Sequence, residues 1–356
     1  MIDVVLLTAP PPLGAVTGGQ RYNEAIAERA GHHDARMRAV AISGRTLAQR
    51  ALAARRALHQ SNGVDAIVID SIVADAAALA GRGNVPLVGL AHQIPSARHP
   101  TVFGALGRAL SRTAYRRCRR LIAVSEWVAA ALDSIGVPCA VVPPGVERPP
   151  AREATNAGGP PIVLCVANWL AHKGILDLAE AMALLPAEAG RLRLVGAPRL
   201  ETSYGRRVAA RIGRSDLRDR VTARGTLGRD EVDDELARAD IFALPSRDEA
   251  YCIAVAEALA NGLPVVGYRS GNVTDLVGGA GILVDPGDVS GLAESLRLLT
   301  LDRDRRRSFA ELARRRAATL STWDQSARAF FEAIRSGMRL ASAAEQHERD
   351  RTPSSA

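Results

Sequence analysis

Twice along this chain short apolar runs alternate with segments of helical length, and a stretch with neither pattern separates the two series. The first series contains DVVLL, MRAVAIS, AIVID, PLVGLAH, LIAVS and AVVPP, with helical stretches such as QRYNEAIAERAG and TLAQRALAARRALHQ between them. The second contains PIVLCVAN, LRLVGAP, VTARGTL, DIFALP, LPVVGY and GILVD, interleaved with ILDLAEAMALL, RDEVDDELARA and IAVAEALANG. Strand-length apolar runs that alternate with helices are the pattern of an α/β parallel sheet. At residues 143–161, PPGVERPPAREATNAGGPP, apolar periodicity stops and Pro, Gly and small polar residues take over, as in a linker. A chain of 356 residues is long enough for two domains, each with its own core. The expected fold is therefore two doubly wound α/β domains with a cleft between them and ligands at the carboxyl ends of their strands. The expected boundaries are 1–148 and 161–305 for the domains, 149–160 for the linker, 306–342 for a C-terminal helical segment and 343–356 for a flexible tail.

Composition narrows the partners. No apolar run has membrane-spanning length, and MIDVVLLTAPPP carries Asp3 in place of a basic leader region, so it reads as a first buried strand of a cytoplasmic protein. The four cysteines show neither metal-ligand nor C-x-x-C spacing and are expected to be reduced thiols. A net charge of +8 favours acidic partners such as nucleotides, phosphorylated substrates or an anionic membrane face, although an Arg-rich surface arising from compositional bias gives the same number. With 4% aromatic residues, the chain has no aromatic-studded basic strand on which single-stranded nucleic acid could stack, and nucleic-acid binding has only bulk charge behind it. Among 46 Lys and Arg residues the only lysine is Lys173. A chain that uses arginine for every other fixed cation and keeps one compact ammonium points to a tight phosphate site, where a planar fork is a poor replacement.

Several short stretches carry chemistry. Gly18 and Gly19 follow the first strand and precede a helix, where backbone can approach a ligand closely, or where the chain simply turns. The chain contains neither G-x-G-x-x-G at that place nor a phosphate-loop G-x-x-x-x-G-K-[ST]. In VLCVANWLAHKGILDLAEA, Lys173 and Gly174 open a helix after a strand, a place for an anion such as a diphosphate. Gly196 ends the next strand, where it can line a base or ribose pocket or make a turn. In EAYCIAVAE two carboxylates stand eight positions apart. In a continuous helix they would lie about 80° and about 12 Å apart. Alternatively Glu249 sits in a loop, a helix begins near Cys252, and Glu257 lies one turn inside it, so that both flank a helix N-terminus. Asp302 and Asp304 spell D-x-D, but beside an Arg-rich helix they read as caps, and the remaining histidines show no ligand spacing. Residues 103–124 form a basic amphipathic segment that either packs one face on the first sheet or rests on an anionic membrane.

The stretch from ALPSRDEAYC to ILVDPGD resembles the donor-binding half of retaining glycosyltransferase family 4. Its Glu, seven residues, Glu signature falls on Glu249 and Glu257, followed by Ala258, Gly262, Pro264, Val265 and Gly271. Lys173, Gly18 and Gly19, AERAGH, His92 in GLAHQIP, LIAVSEWVAAAL and VPPGVE extend the resemblance over roughly residues 1–300. It implies a GT-B architecture of two Rossmann-like domains facing across a cleft, with a C-terminal helix crossing back to the first domain. It also implies a nucleotide-sugar donor as substrate, with no metal and no cofactor. On this resemblance Glu257 contacts the ribose, and Glu249, Lys173 and His92 are the catalytic set: Glu249 faces the sugar, Lys173 neutralises the departing diphosphate and His92 lies near the sugar. Asn168, Gly196, Ala250, Tyr251, Cys252 and Ile253 join Gly18, Gly19 and Lys173 in donor binding.

Some positions depart from the family pattern. Asn168 stands where Arg is usual, Gln93 where Asp is frequent, Cys252 in place of a common Gly, Asp275 for Glu and Pro144 for Asn. The expected function is retaining transfer of a sugar to an acceptor held by first-domain loops in TAPPPLGAVTGG and HQIPSARHPTVFG. The acceptor is a small molecule, a glycan or a lipid-linked group. The alternatives are a binding paralogue without transfer and a nucleotide-sugar epimerase.

Overall fold

The computed structural model describes residues 1–10, 17–81, 83–94, 102–149 and 159–351. Parts of both acceptor loops and of the linker expected above lie outside these residues. The described residues divide into two compact units, one made of residues 1–10, Thr17–Gly145 and the chain from Trp323 onward, the other lying within Val146–Thr322.

The first unit is a six-stranded sheet built from β1 (Ile2–Thr8), β2 (Ala35–Ala41), β3 (Ala66–Asp70), β4 (Leu87–Ala91), β5 (Arg120–Ala123) and β6 (Cys139–Val141). Its order is β2-β1-β3-β4-β5-β6 with every pair parallel. The helices α1 (Gly18–Glu28), α2 (Leu47–Gln60), α3 (Ala74–Leu79), α4 (Val102–Arg116) and α5 (Glu126–Leu132) make the crossovers. Every residue of β3 and β4 is buried, as expected of strands covered on both faces by helices. Sequence chemistry sets the helix starts. Thr17 and Thr46 each form a reciprocal capping box with a Gln three residues on, opening α1 and α2.

The second unit repeats the plan with β7 (Ile162–Val166), β8 (Arg191–Val195), β9 (Val221–Gly225), β10 (Ile241–Leu244), β11 (Val265–Tyr268) and β12 (Gly281–Val284). Its all-parallel order is β12-β11-β10-β7-β8-β9. The connecting helices are α6 (Ile175–Ala183), α7 (Ser203–Ile212), α8 (Arg229–Arg238), α9 (Ile253–Ala260), α10 (Val273–Val277) and α11 (Val289–Leu301), followed by α12 (Arg303–Ala318). Strand order reverses between β1 and β3 in the first sheet and between β7 and β10 in the second. At such a switch point the crossovers leave on opposite faces and open a crevice at the carboxyl edge.

The chain beyond the last strand differs in detail from the expected single helical segment. Asp302 caps α12 by accepting from the Arg305 amide at 2.9 Å, the helix-capping role read for LDRD. After α12 the chain breaks at Thr319–Thr322, where Val146 donates to Ser321 O at 2.9 Å, and α13 (Trp323–Arg351) then belongs to the first unit. The tail expected to be flexible from residue 343 is helical to Arg351, because its Ala, Glu, Gln and Arg residues are strong helix formers that extend a helix already begun. Packing holds α13 in place. Phe330 and Phe331 are fully buried and stack edge-on at 5.4 Å, and Tyr22 of α1 meets Trp323 and Phe330, each at 6.2 Å. Burying each such side chain contributes about 1.5–3 kcal/mol, more than the propensity of α13 alone supplies.

Candidate functional site

The crevice at the β7–β10 switch point is formed by two loops tied to each other. After β10 the Arg247 amide donates to His172 O at 2.7 Å, and Ser246 Oγ donates to the same carbonyl at 3.1 Å. Gly174 is required where these loops meet: its φ is +68°, and a Cβ there would lie 2.1 Å from the Pro245 carbonyl oxygen. A short 3-10 turn, Ala171–Lys173, precedes it, so Lys173 stands two residues before α6 and not inside the helix. From there its ammonium donates to Glu249 Oε1 at 2.6 Å. Residues 76 positions apart are thus brought together as an ion pair, with Glu249 9% and Lys173 22% exposed along their side chains. Burial lowers the Lys173 pKa, but the Glu249 charge and hydrogen bond outweigh that, and the net shift is upward. Lys173 is therefore a fixed cation at neutral pH.

Of the two readings of EAYCIAVAE, the structure adopts the second. Glu249 is in the loop, Cys252 is the N-cap of α9 with φ 80°, and Glu257 is the fifth residue of that helix. Cys252 occupies left-handed backbone where a side chain is strained, which is the physical meaning of the Gly usual at this position. Ala250 is half-buried, while Tyr251, Cys252 and Ile253 are buried between Glu249 and the helix. Gly271, with φ +51°, presses on Glu249, and a Cβ there would lie 2.0 Å from the Glu249 carbonyl oxygen. Next to it the Asn272 amide donates to that oxygen at 2.9 Å, so the backbone of Glu249 is held from the β11 side as well.

Glu257 is buried and accepts from Arg229 Nη1 at 2.7 Å. On the other flank Asn168 accepts from the Ala197 amide through Oδ1 at 2.9 Å, which joins the loops after β7 and β8. Gly196, the last residue before that loop, donates its amide to Gly225 O at 2.8 Å. The second unit thus gathers Lys173, Glu249, Glu257, Asn168, Gly196 and residues 250–253 around one sheet edge.

His92, Gly18 and Gly19 lie in the first unit, at its own switch point. Gly18 opens α1, and a Cβ on Gly19 would lie 3.3 Å from the His92 ring. His92 Nε2 is 2.9 Å from Asn23 Oδ1, and Asn23 Nδ2 donates to Asp70 Oδ2 at 3.0 Å. Asp70 also accepts from Thr8 Oγ1 at 2.9 Å, from Ser71 Oγ at 3.2 Å and from the Ile72 amide at 3.1 Å. With the Asn23 amide donor committed to Asp70, its carbonyl faces the imidazole, which assigns the proton to Nε2 and leaves Nδ1 as an acceptor. Burial lowers the His92 pKa, and the Asp70 charge opposes this only in part. A neutral, oriented imidazole results.

Asp70, Asn23 and Arg229 are site residues that the sequence reading missed. A signal existed for Asp70, since AIVID ends an apolar strand in a carboxylate at the sheet's carboxyl edge. Asn23 is four residues from Gly19, on the same face of α1. Nothing distinguishes Arg229 from the many other arginines until the fold brings it to Glu257. Among the described residues, no group of three or more His, Cys, Asp or Glu side chains could hold a metal ion, and no helix is long and apolar enough to cross a membrane. The four cysteines are unpaired.

Two six-stranded parallel sheets of doubly wound order, each in its own unit, define a GT-B type fold. A family model described as Glycosyl transferases group 1 matches residues 147–316, and one described as Glycosyltransferase Family 4 matches residues 4–148. The chain belongs to glycosyltransferase family 4. Among solved structures, sucrose-phosphate synthase from Thermosynechococcus elongatus superposes with a TM-score of 0.78 at 19% identity, covering 98% of this chain and 100% of that one. Anabaena HepE in complex with UDP and glucose gives 0.78 at 20% identity, covering 94% and 100%. These likenesses establish the fold. A sulfoquinovosyl transferase of Arabidopsis thaliana is 39% identical over 95 residues, 25% of this chain and 19% of that protein. A GDP-mannose-dependent phosphatidylinositol monomannoside mannosyltransferase of Mycobacterium tuberculosis is 30% identical over 205 residues, 51% of this chain and 52% of that protein. A D-inositol 3-phosphate glycosyltransferase of Xylanimonas cellulosilytica is 32% identical over 209 residues, 54% and 50% of the two chains. The matched stretches thus span between 19% and 52% of these relatives' own lengths.

Proposed function

We propose that this chain is a retaining glycosyltransferase that moves a sugar from a nucleoside-diphosphate sugar to an acceptor bound by its first unit. The observation that carries the reading is the Lys173–Glu249 pair at 2.6 Å, held across the switch point of the second sheet immediately before the N-terminus of α9. The ammonium of that pair and the N-terminus of α9, which no side chain caps, offer donors and a favourable dipole where a diphosphate leaving group develops charge. The reading assigns that role to Lys173, α9 and the backbone of Ala250–Ile253, with no metal and no cofactor. Glu249 orients the sugar and balances positive charge at its anomeric carbon, Glu257 takes the ribose hydroxyls, and His92 presents a neutral acceptor nitrogen. Catalysis then consists mainly of positioning and charge stabilisation.

Acceptor chemistry is the part on which relatives differ, since those above name a phosphatidylinositol mannoside and an inositol phosphate. A lipid-linked acceptor fits one feature of the first unit. The outward side of α4 exposes Ala105, Leu106 and Ala109 together with Arg112 and Arg116, apolar and basic groups on one face. Sedimentation with anionic vesicles, compared between wild type and an Arg112→Glu, Arg116→Glu variant, tests this part separately.

Thermal unfolding with excess UDP, GDP, ADP and TDP tests the donor site, using wild type, Lys173→Ala and Glu257→Ala. A nucleotide at about 100 times its dissociation constant stabilises by roughly 2.7 kcal/mol, about 5–11 °C for a unit of this size. One nucleotide that shifts wild type and neither variant supports the site, and no shift with any nucleotide refutes it. A second reading, nucleotide-sugar binding without transfer, has Asn168 behind it, because its side chain brings no positive charge and is engaged with Ala197. Release of nucleoside diphosphate from the bound donor, in the presence of acceptors or of water alone, separates the two readings.

A further inference from the structure

Arg229 stands at the first position of α8, directly after the N-cap Gly228 and four residues beyond Gly225, the carboxyl end of β9. Its Nη1 donates to Glu257 Oε1 at 2.7 Å, reaching from α8 to the second turn of α9. From the other side it is clamped by Asp233, one turn further along α8: Nε donates to Oδ2 at 2.8 Å, and Nη2 donates to Oδ1. A planar guanidinium with both edges engaged has little freedom to pivot. The carboxylate it holds is 8% exposed along its side chain, whereas the guanidinium residue itself is 35% exposed. Both carboxylates raise the Arg229 pKa against the lowering effect of its burial, so the clamp is charged at every working pH. With both its edges occupied by protein carboxylates, the fork presents no bidentate face to a phosphate, and its geometry is that of a support for Glu257.

We propose that Asp233 and Arg229 are positioning residues that set the Glu257 carboxylate as an acceptor for the ribose diol, and that Arg229 thereby sets the preference for ribonucleotides over 2′-deoxyribonucleotides. This rests on the reading of Glu257 as the ribose contact. A carboxylate offers about four lone-pair directions. Arg229 takes one on Oε1, and α9 fixes the Cα, so the remaining directions are fixed in space. A site built to bond a hydroxyl binds the analogue lacking it more weakly, because the bond to that hydroxyl is lost. Without the clamp Oε1 loses the bond that fixes it, and the 2′-hydroxyl loses its fixed partner while the base and diphosphate keep theirs.

The test is calorimetric titration of wild type, Glu257→Ala, Arg229→Ala, Arg229→Lys, Asp233→Asn and the Arg229→Ala, Glu257→Ala double variant. The probes are UDP and GDP and their 2′-deoxy counterparts. The expected result is a wild-type preference for the ribonucleotide of about tenfold or more, reduced to near one in Glu257→Ala and in Arg229→Ala. Arg229→Lys and Asp233→Asn fall between, and the double variant is no worse than Glu257→Ala. If Arg229→Ala weakens ribo- and deoxyribonucleotide equally, or leaves their ratio at the wild-type value while Glu257→Ala collapses it, Arg229 is a structural tie between α8 and α9 and the inference is overturned. A ratio near one in wild type, or one that Glu257→Ala leaves unchanged, removes the ribose role of Glu257 itself, a failure visible without any Arg229 variant. Should Arg229→Ala fail to fold, Arg229→Gln and Asp233→Asn carry the same comparison.

Discussion

Replacing Lys173 with Met keeps an unbranched side chain, one heavy atom shorter, and deletes its charge, which largely separates the ion pair from packing. Glu249 is then a carboxylate with 9% of its side chain exposed and without its lysine partner. Removing one partner of a buried pair costs about 3–5 kcal/mol. The 22% exposure on the lysine side admits some water and argues for the lower end, about 3 kcal/mol. For a unit of this size that corresponds to a fall in Tm of about 6–12 °C. The double variant Lys173→Met, Glu249→Gln leaves no uncompensated charge and recovers most of the loss, while turnover stays abolished in both. A suitable control is Arg269→Met: Arg269 and Asp285 pair at 3.0 Å but are 51% and 79% exposed, so the expected loss is at most about 1 kcal/mol. The pH dependence follows from the raised Lys173 pKa. A cation whose folded pKa lies above its unfolded value of about 10.4 contributes its full stabilisation below that value and loses it as pH rises through the folded pKa. The difference in Tm between wild type and Lys173→Met is therefore constant from pH 6 to 9 and narrows only in more alkaline buffer. Calorimetric Tm values across that range are the assay. A Lys173→Met protein within 2 °C of wild type, or a double variant less stable than the single one, refutes the buried-pair argument.

Other outcomes follow from the same geometry. The lowered His92 pKa means that the unfolded chain binds its proton first, so stability is lost as pH falls below about 6.5 and recovered above it; His92→Gln removes that part of the Tm profile. Gly271→Ala places a Cβ at φ +51° against the Glu249 carbonyl, costing at least about 1–2 kcal/mol, and it lowers turnover more than Gly279→Ala, where φ is also positive but nothing lies within 4 Å. Glu249→Gln lowers kcat far more than it weakens nucleotide affinity, and equal losses in the two measurements would dismiss its assignment to the sugar. Phe330→Ala, by emptying a fully buried position between α13 and Tyr22, costs about 3–5 kcal/mol in denaturant unfolding, and a smaller effect than Leu340→Ala on the exposed side would contradict the packing described.

Much of the fold was legible because its signals are local. Each of the apolar runs read as strands is a strand of one of the two sheets, and the turn chemistry at Thr17, Thr46 and Asp302 sets helix starts through bonds spanning three residues. The break of the C-terminal helix was not legible, since Ala, Arg and Glu favour helix on both sides of Thr319–Thr322 and only the pairing of Val146 with Ser321 and Thr322 decides where the chain turns.

The site divides in the same way. The uniqueness of Lys173 and the spacing of Glu249 and Glu257 mark residues whose chemistry is unusual in this composition, and composition and spacing are properties a sequence carries by itself. That Glu249 bonds Lys173, that Arg229 rather than some other arginine supports Glu257, and that Asp70 and Asn23 orient His92 are contacts between residues 28 to 76 positions apart. Strand order brings them together: it reverses beside β7 and beside β1, and no pattern within a segment encodes which strands become neighbours. Local periodicity determined the elements and their chemistry, whereas only packing of the sheets decided which charges are buried together, because burial and pairing are set by long-range neighbours.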